Sequence, residues 1–271
     1  MKNLGRAGSI SALPQTARFL LRSGFFTWVF LCVLWQIASL FYSPTFLPGP
    51  LATLRGAKEL ILDGTLLKFG AISIGRVLKG WAFGSLIAVP IGILIGRNRF
   101  VCEFVEPFID YFRFIPAIAF LTLFIMWFGV GEQSKTILIM YATGFTVVIN
   151  TASGVMSIDP NRVLAARTLG TSEAKILFHV ILPECVPFIF TGVRLGMGGA
   201  YTSIVAAEML AAKEGLGYLI FTSRLYFRID WILAGIIVLG ILGYLSDKLL
   251  RLFGSTVLRR YGIHDAKEFG K

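Results

Sequence analysis

Residues 159–187 have the sequence DPNRVLAARTLGTSEAKILFHVILPECVP, a charged, amphipathic island in a chain that is otherwise mostly apolar. Small and apolar residues recur within it, largely at three- and four-residue steps: Val163, Ala166, Leu169, Gly170 and Ala174. This spacing predicts a short helix, a break at Gly170, and a second helix that ends before Leu182 and Pro183. A helix of this kind between two membrane spans is better suited to binding a partner than to catalysis.

The composition around this island is that of a polytopic membrane protein. Of the 271 residues, 56% are hydrophobic and 15% are charged, and the mean hydropathy is +0.76. A soluble domain has about a quarter of its residues charged. The net charge of +11 is spread through short loops and tails, which indicates a positive-inside bias rather than nucleic-acid binding. Cys32, Cys102 and Cys185 are scattered without metal-ligand spacing, so we expect no metal site.

Apolar runs predict six membrane-spanning helices in one all-α domain, at 25–42, 77–96, 114–130, 136–155, 186–210 and 231–250. The domain is predicted to cover residues 25–253, between a polar lead-in at 1–24 and a basic tail at 254–271. The segments joining the spans include an amphipathic surface helix at 51–72, a charged loop at 97–113 and a glycine-bearing loop at 211–230.

The distribution of basic residues predicts the orientation of the chain. With the N-terminus inside, the inner segments hold 16 of the 26 Lys and Arg residues and the outer segments hold 9. Cytoplasmic loops carry the excess of positive charge. We therefore predict that both termini are cytoplasmic, and that residues 159–187 are cytoplasmic too.

The predicted second span has a small residue at every fourth position: Gly80, Gly84, Ala88, Gly92 and Gly96. Residues four apart share one face of a helix, and small residues on a face allow a second helix to approach closely. Glycine also recurs often in membrane spans without such a role, but repetition over four turns favours tight packing. Pro90 is expected to kink this span.

Polar residues within the spans are candidates for a translocation path: Thr143, Thr146, Asn150, Arg194 and Glu208. The three uncharged residues could instead hydrogen-bond between helices. Arg194 could be an interfacial anchor that reaches the cytoplasmic side, and Glu208 could reach outer water.

An energy source is missing from the sequence itself. The chain has no phosphate-binding sequence of the GxxxxGK type. Its only histidines are His179 and His264, which argues against a metal site or a catalytic triad. An ion-gradient-driven secondary transporter would be expected to place carboxylates near mid-membrane, where the predicted spans have none. An ion-gradient-driven secondary transporter that acts without an ATPase remains the alternative hypothesis.

Several motifs resemble those of bacterial ABC-importer permeases. Ala165-Ala166, Gly170 and Leu182-Pro183 match in register the EAA-x3-G-x9-I-x-LP loop of that family, with Leu164 at the position of its glutamate and Val180 at that of its isoleucine. Four further segments resemble the nitrate/sulfonate/taurine type: SIGRVxxG at 73–80, RFIP at 113–116, WFGVGExSK at 127–135 and AEx5EGLG at 207–217.

This resemblance implies the type I importer-permease fold and a transport subunit without enzymatic activity. It implies a homodimer or a pair with a close homologue in the bacterial inner membrane, a periplasmic solute-binding protein, and a cytoplasmic ATPase dimer that uses ATP and Mg, while the chain itself holds no cofactor. It places a coupling helix in the loop at about 157–185. The residues it implies for ATPase coupling are Leu164, Ala165, Ala166, Arg167, Gly170, Thr171, Glu173, Leu182 and Pro183. The implied solute is a small anion such as a sulfonate, taurine or nitrate.

Overall fold

A computed structural model describes residues 25–258 and 261, and within these residues it contains helices and turns but no strand. Eleven α-helices make up most of the described chain: α1 (Phe25–Leu40), α2 (Pro50–Leu62), α3 (Thr65–Arg97), α4 (Arg99–Phe112), α5 (Leu121–Phe128), α6 (Glu132–Met156), α7 (Pro160–Thr168), α8 (Glu173–Ile176), α9 (Leu182–Ala211), α10 (Leu216–Ser223) and α11 (Ile229–Val257). Short 3-10 segments at Ala117–Phe120 and Arg224–Tyr226 precede α5 and follow α10, and a π-helical turn at Leu177–Ile181 joins α8 to α9.

Four helical segments are long and apolar enough to cross a membrane, namely α3, α6, α11 and the continuous helix Glu173–Ala211. The helices Arg99–Phe112 and Ala117–Phe128 together would form a fifth span, bent by 90°. Helix α1 has 16 residues, which is short of the roughly 20 that a straight span needs. The chain is thus an all-α, multi-pass membrane protein, and the six-span count remains a prediction, as does the N-in, C-in orientation.

The centre of the fold is a three-helix layer in which α6 lies between α3 and α9. Gly80, Gly84, Gly92 and Gly96 face α6 so closely that an added Cβ would lie 2.5–3.0 Å from its nearest atom. Ala88, in the same row, is also buried. The predicted small-residue face of α3 is therefore the face that packs on α6. Backbones approach this closely only where one side of the contact lacks side chains.

The second span begins earlier than the apolar pattern suggests. The prediction of one amphipathic helix at 51–72 is wrong, because the chain breaks at Asp63 and Gly64, where Gly64 has a φ of +79°. A left-handed residue ends a helix and favours glycine. The first half of that segment is α2, which packs on the start of α11. The second half is the beginning of α3, which runs through Pro90 without interruption.

The prediction of a charged loop at 97–113 is also wrong. Asn98 caps a helix there by accepting hydrogen bonds from the backbone N–H groups of Phe100 and Val101. The acidic and basic residues of α4 lie among exposed positions, while its half-buried apolar residues face α3 and α6. The prediction of a straight helix over 114–130 is therefore wrong, because residues 113–116 form an irregular turn and the helix Ala117–Phe128 is bent by 90° against α4.

Two shorter predictions need correction as well. The segment 211–230 is not only a loop, because α10 occupies Leu216–Ser223 within it. The helix after Gly170 does not end before Leu182 and Pro183, because it continues into α9. The π-helical turn directly precedes Leu182, whose N–H bonds to the carbonyl of Leu177. This wider turn loosens the backbone where a proline ring and its missing N–H would otherwise interrupt an α-helix.

Candidate functional site

A cavity of about 690 Å³ is the largest described opening that contains predicted path residues. It lies between the irregular turn after α4, the middle of α6 and the second half of α9. Thr146 and Asn150 line it from α6, and the Asn150 side-chain amide donates to the Thr146 carbonyl over 2.8 Å. The cavity therefore brings together two of the five candidate path residues.

The other three candidates lie elsewhere. Thr143 is wholly buried and its hydroxyl donates to the Gly196 carbonyl over 3.4 Å. It therefore belongs to the contact between α6 and α9. Arg194 forms an ion pair with Asp247 of α11, which Arg251 also contacts at 3.0 Å. This pair joins α9 to α11 and lies outside the cavity lining.

Glu208 does not reach outer water, and that prediction is wrong. Its side chain is 0% exposed, and its carboxylate accepts hydrogen bonds from Ser73, Arg76 and the backbone N–H of Gly217, all at 2.8–2.9 Å. The Arg76 guanidinium, with 12% of its side chain exposed, also donates to both oxygens of Glu132 at 2.7 and 2.8 Å. A buried carboxylate is stable only when such donors satisfy it.

The polar network formed around Glu208, Arg76 and Glu132 connects the helices at one end of the bundle. It includes Lys135, which pairs with Glu132 at 2.8 Å, and the Glu214 carbonyl, which accepts from Arg76 at 2.7 Å. Gly215 passes the network at a φ of +122°, where an added Cβ would lie 2.3 Å from Glu208. Only glycine fits this position. The network thus joins α3, α6, α9 and the segment that leads into α10.

The residues of this network lie far apart in the sequence, and no local pattern predicts that they meet. Ser73 and Arg76, Glu132 and Lys135, and Glu208 with 214–217 belong to three of the separate segments that carried the family resemblance. Their charges are complementary, and that complementarity is the signal that could have predicted the contact. Separations of 56 and 132 residues leave no local pattern to reveal it.

At the opposite end of α6, α7 presents an exposed surface. Asp159 caps the helix by accepting from the N–H of Asn161, and the chain turns at Gly170 with a φ of +74°. Val163 and Ala166 pack on the body of the protein. The remaining surface is open, with Leu164 at 57% and Leu169 at 85% exposure. Leu164 lies on α7 and Leu169 directly follows it, so the two exposed leucines form an apolar surface without a partner among the described residues.

Internal ion pairs hold this loop in place. Glu173 accepts hydrogen bonds from Arg167 of α7 and from Arg97 at the end of α3. The hydrogen bond to the Glu173 carboxylate raises the pKa of the Arg167 guanidinium above its usual value. The pairing connects the loop to the end of α3. Thr171 bonds through its N–H to the Ala166 carbonyl across the turn, and Leu182 with Pro183 begins α9.

Among residues 25–258 and 261, no group of three or more His, Cys, Asp or Glu side chains is placed to hold a metal ion. The three cysteines are free.

The family described as "binding-protein-dependent transport system inner membrane component" matches residues 88–259. The chain belongs to this family of importer permeases. It is 40% identical over 205 residues to a "probable ABC transporter permease protein" of Brucella melitensis biotype 1, covering 76% of this chain and 83% of that relative. It is also 37% identical over 230 residues to the taurine transport system permease protein TauC of Escherichia coli K12, covering 82% and 83%. The nitrate import permease protein NrtB of Synechocystis is 31% identical over 237 residues, covering 84% and 86%.

The fold agrees with this membership. A structure of the MetNI methionine ABC transporter in an inward-facing conformation matches with a TM-score of 0.62 at 18% identity, covering 74% of this chain and 97% of that one. A second inward-facing MetNI structure matches with a TM-score of 0.59. The chain therefore has the type I importer-permease fold.

Proposed function

We propose that the chain is the membrane-spanning subunit of an ATP-driven importer for a small anion in the bacterial inner membrane. Two copies, or one copy and a homologue, enclose the path, and a periplasmic binding protein delivers the solute. ATP and Mg are bound by a separate ATPase dimer. The relative named for nitrate import supports an anionic solute, and the relative named for taurine transport supports a solute with an anionic sulfonate group.

The observation that carries the coupling part of the proposal is the α7 surface. It offers exposed Leu164 and Leu169, is flanked by the left-handed turn at Gly170, and is connected to α3 through Glu173. ATP-driven closure of the ATPase pair draws the two α7 helices together, the ion pairs pass the movement to α3 and α9, and the bundle opens outward. Hydrolysis reverses the movement.

Leu164 stands where the family motif has a glutamate. We propose that an apolar contact replaces a charged one in the cleft of the ATPase, because Arg167 and Glu173 already pair with each other. Leu164→Glu is then expected to weaken ATPase retention by about tenfold, since burial of an unpaired carboxylate is costly. Leu164→Met is the matched control and should retain the ATPase. Co-purification at low and high salt measures both.

A bulky residue on the exposed side of α7 tests the coupling itself. Ala165→Trp in proteoliposomes should abolish most ATP-driven uptake and most stimulation of the ATPase by the binding protein, whereas Ala165→Ser should preserve both. Gly170→Trp should act in the same direction, with strain at a positive φ as an added cause. Full uptake and full stimulation in Ala165→Trp would show that α7 does not couple the ATPase.

The ion-gradient-driven carrier is the second candidate. It predicts uptake by the purified chain without any ATPase. The carboxylates described inside the helical bundle speak against it, because Glu208 and Asp247 are both held by arginines and a proton-coupled site needs a group free to titrate.

A further inference from the structure

The bent helix pair α4 and α5 places a charged residue beside an open cavity. Its turn, residues 113–116, lies beside the middle of α6, because the Tyr141 hydroxyl donates to the Phe112 carbonyl over 2.8 Å. Tyr141 is the tenth residue of a 25-residue helix, which puts it about 14 Å from the start of that helix. Non-helical backbone at such a depth is tolerated where it lines a water-filled cavity.

Arg113 is the charged residue of this turn. It lines the 690 Å³ cavity together with Thr146, Asn150 and Thr202, and it is the only Asp, Glu, Lys or Arg among the lining residues. About 40% of its side chain is exposed. An ionisable side chain at membrane depth is costly unless it serves a water-filled site, so its presence there indicates function.

The neighbours of Arg113 do not cancel its charge within the cavity. Asp110, which pairs with it at 3.2 Å, is itself 55% exposed and is not a lining residue. A half-exposed pair between the last turn of α4 and the residue that follows the helix is weak. The guanidinium also lies 4.8 Å from the centre of the Phe114 ring, a contact that leaves its N–H donors available.

The backbone also makes the electrostatic potential in the cavity more positive. The helix Ala117–Phe128 begins at this cavity, and both Ala117 and Ile118 line it. The first N–H groups of a helix lack partners within the helix and carry partial positive charge. A discontinuous helix whose N-terminus meets a cavity at membrane depth favours the negatively charged end of a solute.

We propose that the cavity between the turn at 113–116, α6 and α9 is a binding site for a small oxyanion, a sulfonate or nitrate, and that Arg113 is the residue that selects its charge. This inference rests on the proposed function, since it assigns the anion a position along the path. Thr146 and Asn150 provide neutral hydrogen-bonding groups on the opposite wall.

The test measures the electrostatic potential of the cavity with a thiol reporter. The full chain, bound to its ATPase, carries Thr202→Cys in a background with Cys32, Cys102 and Cys185 replaced by serine. The reaction rate is compared for the anionic reagent 2-sulfonatoethyl methanethiosulfonate and the cationic reagent 2-(trimethylammonio)ethyl methanethiosulfonate. Arg113→Gln should lower the anionic-to-cationic rate ratio by about tenfold, because each reagent responds to the lost charge in the opposite direction.

Matched variants separate charge from structure. Arg113→Lys should keep the ratio within about threefold of the parent, because the charge remains. Arg99→Gln removes an exposed arginine of α4 that lies outside the cavity lining, and it should leave the ratio unchanged. A second reporter, Ala206→Cys, repeats the measurement from another lining position. An unchanged ratio in Arg113→Gln, or no reaction at either reporter, overturns the site.

ATP-driven uptake of labelled taurine, ethanesulfonate and nitrate, measured in parallel with the binding protein present, distinguishes the two proposals. If the ratio falls but the parent complex transports none of these solutes with ATP, the anion site stands and the proposed function fails. If uptake occurs in the parent and the ratio does not fall, the proposed function stands and the anion site is wrong. If both hold, Arg113→Gln should reduce uptake at least tenfold and Arg113→Lys should restore part of it.

Discussion

Removal of the Arg76 guanidinium should destabilise the protein more than any change to a surface ion pair. Arg76→Met leaves the Glu208 carboxylate, which has no exposed surface, with only a hydroxyl and one backbone N–H as donors. It also removes the two hydrogen bonds that Arg76 donates to Glu132, which is left paired with Lys135. Breaking a buried ion pair by removing one partner costs about 3–5 kcal/mol.

Unfolding of the purified chain in mixed micelles, titrated with sodium dodecyl sulfate, measures this loss. The double variant Arg76→Met with Glu208→Gln should recover at least half of it, because a neutral amide tolerates burial without a cationic partner. Arg99→Met is the matched control. It removes an arginine whose pair with Glu103 is mostly exposed, so it should cost less than about 0.5 kcal/mol.

Two results would contradict an uncompensated Glu208 carboxylate as the cause of the loss. If Arg76→Met costs less than about 1 kcal/mol, water or another cation must compensate Glu208. If the double variant is no more stable than the single one, the loss comes from packing of the Arg76 side chain and not from an uncompensated charge.

Two further predictions concern the helix contacts. Gly92→Leu should destabilise the chain by about 3 kcal/mol or more in the same titration, because a Cβ there would lie 2.6 Å from α6. Gly75→Leu is the matched control: it lies at an open position of α3 and should be neutral or slightly stabilising. Asp247→Leu should lower the free energy of unfolding more than Arg194→Met does. Asp247→Leu leaves both Arg194 and Arg251 without their shared carboxylate, whereas in Arg194→Met the Asp247 carboxylate is still neutralised by Arg251. Equal losses for the two variants would contradict a shared carboxylate.

The sequence predicts those parts of the fold that depend on local periodicity. The small-residue row ending in Gly92 and Gly96 is visible as a four-residue repeat, and the structure places this row against α6. The turn at Gly170 follows from the same kind of reasoning, because a glycine between two short amphipathic runs permits a positive φ.

The errors arise where a residue's neighbours in sequence are not its neighbours in space. The charge density from Arg99 to Asp110 resembles a loop, although its half-buried apolar residues lie on one side of a helix. That misassignment also left Arg113 in a cytoplasmic loop instead of beside the cavity. The position of Glu208 near the end of a span predicts contact with water, but its burial depends on Arg76, which is 132 residues away.

The π-helical turn at Leu177–Ile181 determines how α9 is rotated about its own axis relative to the loop that contains α7. Successive residues of an α-helix are separated by about 100° around the axis, and a π turn amounts to one inserted residue. Loss of a single residue there would turn all of α9 by roughly that angle relative to α7, which would move Arg194 away from Asp247. Insertions and deletions between the loop and the first turns of α9 should therefore be far less tolerated than substitutions, because they would change the direction in which the helix faces while leaving each of its side chains intact.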